Sequence, residues 1–213
     1  MASSRTAVVP EPLYRSLVWL DVRMGVLFSL GLPLVLLVWA AVRREQALVR
    51  LLGLYWKVAS LLLVSTLLLT DRRPIGFVLL VIAPLLVACS LWFWVDLNEE
   101  LADLPPWRPL PLTTRIWRWS VSFWAVISAG FSAMALNCLD AGARATPRCT
   151  AWMEAPIGLH GHLERVFAFV FGGQWTPAVA AFIGYLGLVA YAVGLLQWLL
   201  VRLPRVGRVA GDF

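Results

Sequence analysis

Residues 90–112 read SLWFWVDLNEELADLPPWRPLPL. An apolar, aromatic run gives way at once to Asp96, Glu99, Glu100 and Asp103, and then to four prolines, Pro105, Pro106, Pro109 and Pro111. Such a switch marks the place where a helix leaves hydrocarbon for water. The carboxylates recur at i, i+3, i+4 and i+7, so a helix carried past the membrane places all four on one face. Like charges so placed repel one another and need cations. Three sources are open: internal ones such as Arg43, Arg44, Arg50 and Lys57, a bound divalent metal, or the basic patch of a partner. The proline and tryptophan segment suits docking on an aromatic surface, or it caps the acidic helix. Asp96, Glu99, Glu100, Asp103, Trp107 and Arg108 are therefore the candidate partner-binding residues.

The flanking sequence places this segment in a membrane protein. Of 213 residues, 61% are hydrophobic and 14% charged, and the mean hydropathy is +0.79. Soluble domains carry about a quarter charged residues, so a soluble globule is excluded. A spanning helix needs about 20 apolar residues, and five segments qualify: residues 24–42, 47–70, 75–95, 115–139 and 177–201. The expected fold is an all-α membrane protein in one domain, a polytopic bundle of about five transmembrane helices. A short amphipathic or re-entrant helix is expected at residues 163–171, ending at Gly172 and Gly173. Residues 1–14 read as a flexible tail, 15–23 as a piece lying along the interface, and 96–114 as an acidic, proline-rich connector. The first span is expected to stay uncleaved. Pro33 and Pro84 should kink their spans, each freeing a carbonyl that a neighbouring helix or hydroxyl must satisfy.

The net charge is +6, and every basic residue except Lys57 is arginine. These arginines sit singly or in pairs beside apolar segments, and the twelve tryptophans gather near segment ends. This is the pattern of anchors at lipid headgroups, so the implied partner is membrane lipid and not nucleic acid. Arg50 and Lys57 lie two turns apart on one helical face. A lysine at the bilayer centre costs about 2.5–3.5 kcal/mol, so Lys57 either snorkels or pairs with a carboxylate of the connector; it is also the candidate group for transport. Cys138 and Cys149 flank a polar loop at a spacing that a disulfide can close, which would put that loop in an oxidising compartment. Cys89 reads as a packing thiol. His160 and His162, with Glu154 and Glu164 near, are a weak metal or pigment signal, since no matching cysteine pattern accompanies them. The loop arginines are almost evenly divided between the two sides; those beside span ends favour a cytoplasmic connector and tail. No glycine-rich phosphate loop, nucleophile elbow or HExxH is present, so no enzymatic activity is expected.

The runs LYRSLVWLDVRMGVLF (13–28), GLYWKVASLL (53–62), SLWFWVDLNEEL (90–101) and ATPRCTAWMEAP (145–156) resemble the cyanobacterial integral membrane proteins of domain of unknown function 3177. The resemblance covers nearly the whole chain and carries no catalytic residues with it. It implies a photosynthetic bacterium, a thylakoid or plasma membrane, and a place beside photosynthetic or respiratory complexes. No cofactor is firmly implied, with chlorophyll, carotenoid or lipid as the candidates. The functional expectation is an accessory subunit or assembly factor of a larger membrane complex. The alternatives are a small transporter or channel using Lys57 and its kinked helices, and a pigment- or lipid-binding protein.

Overall fold

The computed structural model describes residues 11–210, and every regular element in that range is helical. The elements are α1 (Glu11–Arg43), α2 (Gln46–Thr70), α3 (Pro74–Phe93), α4 (Val95–Asp103), α5 (Pro109–Leu139), α6 (Pro147–Phe171) and α7 (Pro177–Arg205). Among the described residues α1, α2, α3, α5 and α7 are long and apolar enough to cross a membrane. The chain is thus an all-α polytopic bundle, an integral membrane protein by the length and composition of its helices.

The bundle is built on α2, which packs against α1, α3 and α7. Leu48, Leu51, Leu52, Leu61, Leu68 and Leu69 of this helix are fully buried. α7 approaches it across glycine: a Cβ at Gly184 would stand 3.0 Å from Leu68, and one at Gly187 3.0 Å from Val64. Small residues let helix backbones approach closely in lipid, where water no longer drives association. The connections define two ends. The start of α1, the turn at 71–73, the loop at 140–146 and α6 lie at one, the disulfide end. The turn at 44–45, α4 and residues 207–210 lie at the other, the connector end.

Within α1 the residues Val26–Gly31 form a π-helical segment just before Pro33. The Leu32 N–H reaches back to the Leu27 carbonyl, and Pro33 has no N–H to give. The carbonyls of Phe28 and Ser29 therefore lack helical donors. Neighbouring helices supply them: Trp117 Nε1 donates to Phe28 at 2.8 Å, and the Tyr55 hydroxyl donates to Ser29 at 2.9 Å. The two rings meet edge to face at 5.0 Å. One proline thus ties α1 to α2 and α5.

Several boundaries differ from those read in the sequence. Residues 1–10 of the expected tail lie outside the described residues, and 11–14 are helical, with Tyr14 buried. Pro12 sits in the first turn, where its missing N–H costs nothing. Residues 15–23 are not a separate interfacial piece, because α1 runs through them without a break. Likewise α5 starts inside the expected connector, with Pro109 in its first turn. In place of a short helix at 163–171, α6 runs the full 25 residues of Pro147–Phe171, with Pro156 inside it. It ends where expected, at Gly172 with φ +65°, a left-handed cap that favours glycine.

Candidate functional site

The connector end is organised around the C-terminus of α3. The last four carbonyls of a helix have no intrahelical donors and carry a partial negative charge. Here side chains supply the donors. Arg118 Nη2 donates to the Leu91 carbonyl at 2.6 Å, Asn98 Nδ2 to Trp92 at 3.1 Å, and Arg208 Nε to Phe93 at 2.8 Å. Arg118 also donates to Asn98 Oδ1 and lies 4.3 Å over the Trp92 ring. One turn earlier on α5, Arg115 Nη2 donates to the carbonyls of Leu101, Ala102 and Leu104, 2.9–3.2 Å away, and so closes the end of α4. Arg115 and Arg118, three residues apart on one face, cap two different helices.

The acidic helix α4 buries Leu97 and Leu101 underneath and divides its four carboxylates into two pairs. The inner pair is engaged within the chain. Asp96 accepts from the Ala210 backbone N–H at 2.9 and 3.0 Å, while the Val95 N–H donates to the Arg208 carbonyl at 3.0 Å. Glu100 forms an ion pair with Arg50. The outer pair, Glu99 and Asp103, is exposed, as are Trp107 (79%) and Arg108. Arg108 stands 3.8 Å from Glu45. Of the basic residues expected to meet the connector, Arg50 does so through Glu100, and Lys57 lines a groove on the outer side of the bundle.

This groove encloses about 410 Å³. Its floor is Leu54, Lys57 and Val58 of α2, and its walls are α3 from Leu86 to Phe93, with Trp94 just beyond it, and α7 from Tyr191 to Trp198. Phe93, Trp94 and Trp198 close it toward the connector end, with ring centroids 5.3–5.8 Å apart. Cys89, a free and exposed thiol, lies in the wall and not in a packed interface.

At the disulfide end Cys138 and Cys149 are joined, with Cα atoms 5.7 Å apart. The start of α1 docks beside them. Trp152 Nε1 donates to the Tyr14 hydroxyl at 2.8 Å, and Glu154 accepts from Arg15 Nε at 2.8 Å and Trp19 Nε1 at 2.9 Å. Burial pushes the Glu154 carboxyl up, but the hydrogen bonds from Trp19 and Arg15 and the Arg15 charge outweigh it and hold it below its usual range. His160 is buried on α6, and its Nε2 has no hydrogen-bond partner. It faces a void of about 10 Å³, room for roughly one water and not for a pigment ring. His162 is exposed and contacts Arg165. Among the described residues no three His, Cys, Asp or Glu side chains are grouped to hold a metal.

Two further charged residues lie inside the bundle, neither of them singled out by the sequence. Asp21 accepts from Trp124 Nε1 at 3.1 Å and Ser128 Oγ at 2.9 Å, beside Gly25, where a Cβ would stand 2.8 Å from Trp124. Arg118 is the other, at 5% exposure. The i, i+3 spacing of Arg115 and Arg118 between tryptophans was the available signal for the second.

No curated protein and no solved structure matches this chain. The model of the family described as protein of unknown function (DUF3177) matches residues 15–211, and with nearly its whole length matched the chain belongs to that family.

Proposed function

We propose that this protein is a non-enzymatic accessory subunit or assembly factor of a larger membrane complex, docking through the outer edge of its connector. One observation carries the reading: α4 is held rigidly from within while Glu99, Asp103 and Trp107 face outward. Arg50, the Ala210 amide and Arg115 fix the helix, so its outer carboxylates are presented in one geometry to a basic surface. A large, exposed aromatic side chain beside them has the character of an interface anchor. The sequence resemblance to cyanobacterial membrane proteins supports a photosynthetic or respiratory complex in a thylakoid or plasma membrane as the setting.

The test is purification of the tagged protein from its native membrane in mild detergent, comparing wild type with Glu99→Lys/Asp103→Lys and with Trp107→Ala. Co-purifying complex should fall in both variants. An anchor of this kind is worth about 2 kcal/mol, roughly a thirtyfold loss of affinity. Glu100→Lys is not a clean probe, since it also breaks the pair with Arg50. Undiminished co-purification in both variants would remove the connector from the interface.

A further inference from the structure

The groove between α3 and α7 is not used by the connector, and its shape and charge identify an occupant. From Leu86 to Phe93 its α3 wall advances seven residues, or about 10 Å at 1.5 Å per residue. That lies within the roughly 15 Å depth of one leaflet's hydrocarbon. Its volume of about 410 Å³ lies within the range of about 300–1,000 Å³ usual for ligand sites. The lining is apolar except for Lys57, Ser90, Cys89 and the Tyr191 ring. Lys57 is the one ionisable cation in the wall. Side chains on a helix lean toward its N-terminus, so the lysine stem leads toward the connector end, where headgroups lie.

A second cation stands at that same end. The Arg208 guanidinium lies 5.0 Å over the Phe93 ring, itself part of the groove wall. It donates to the carbonyls of Phe93 and Trp92, with two of the five N–H groups an arginine carries. An apolar slot within the depth of one leaflet, topped by aromatic rings and flanked by a lysine and an arginine, matches a chain with a negative head.

We propose that the groove binds one acyl chain of an anionic membrane lipid from the leaflet at the connector end, with Lys57 and Arg208 selecting the negative headgroup. The site is separate from the docking edge of α4, and its test needs no protein partner.

The full-length protein is reconstituted in vesicles of equal phosphatidylcholine and phosphatidylglycerol, extracted in mild detergent and weighed by native mass spectrometry. The expected result is one retained lipid per chain, with phosphatidylglycerol favoured at least fivefold. Gly194→Trp should abolish retention: Gly194 lines the groove, and a Cβ there meets no atom within 4 Å. Lys57→Gln and Arg208→Gln should bring the preference toward parity. As an independent readout in unmodified protein, phosphatidylglycerol should slow alkylation of Cys89 by N-ethylmaleimide severalfold. Equal retention of the two lipids, no retained lipid, or Cys89 reactivity indifferent to lipid would overturn the proposal. A neutral polyprenyl or pigment molecule in the groove of native material would overturn it too.

Discussion

Pro33 shows how one residue sets the packing of three helices. By withholding an N–H it leaves the Ser29 carbonyl to the Tyr55 hydroxyl and, through the π segment, the Phe28 carbonyl to Trp117. In hydrocarbon no water can stand in for those donors. Tyr55→Phe is therefore expected to cost about 1–3 kcal/mol, the penalty of a buried acceptor left unpaired. The same change in a Pro33→Ala background should cost less, because residue 33 then offers its own N–H to Ser29. Thermal unfolding of the four proteins in one detergent measures the coupling; additive costs would mean that the hydroxyl does not serve the carbonyl that proline frees. Glu154 gives a second test at this scale. Its folded carboxyl is held below the ordinary value by Trp19 and Arg15 against the opposing effect of burial. A depressed folded value stabilises at pH above the unfolded value, near 4, and the contribution is lost as pH falls through the folded one. The junction of α1 and α6 should loosen below about pH 4, and Glu154→Gln should flatten that part of the profile. Proteolysis near the start of α1, followed against pH, reports it.

At the level of elements, the four carboxylates of α4 were legible as a helix face because their spacing is local. Their division into inner and outer pairs was not, since it depends on Arg208 and Ala210 returning over the helix from more than a hundred residues away. Asp21 was misread for the same reason: alone it looks interfacial, and only Trp124 and Ser128 on α5 make it a packed group. The spans were read correctly in number because length and hydropathy suffice for that. α6 was not, because Pro156, Gly158 and Gly161 are all helix breakers by propensity. Here packing against α1 and α2 holds the helix despite them. The arginines that cap α3 and α4 lead to a prediction about magnitude. The Glu100 and Arg50 side chains are 41% and 28% exposed, so Glu100→Gln should cost less than about 1 kcal/mol. Arg118 is buried, and Arg118→Met leaves the Leu91 carbonyl without its donor, which should cost about 1–3 kcal/mol. Chemical unfolding of the two variants compares them, and a larger loss in Glu100→Gln would invert the ranking of cap and ion pair.

For the molecule as a whole, α6 decides the topology. α7 meets α2 through Gly184 and Leu68 near the disulfide end and reaches Trp94 with Trp198 at the connector end. The chain must therefore enter α7 at the disulfide end, the end where Cys149 starts α6 beside Cys138. A helix of 25 residues is about 37 Å long, enough to span a bilayer. Yet α6 begins and finishes at one end, with Pro156, Leu159 and His160 set against Leu67 and Thr70 at the close of α2. Five crossings result, which bring residues 207–210 to α4 and separate the described ends of the chain. Single cysteines test this in sealed vesicles of known orientation, in a Cys89→Ala background where the native pair is tied in its disulfide. Ala145→Cys and Gln174→Cys should react with a membrane-impermeant maleimide from the same side, and Trp107→Cys only from the other. If Gln174→Cys instead reacts from the side of Trp107→Cys, α6 crosses the membrane and the arrangement of α7 against α2 is wrong.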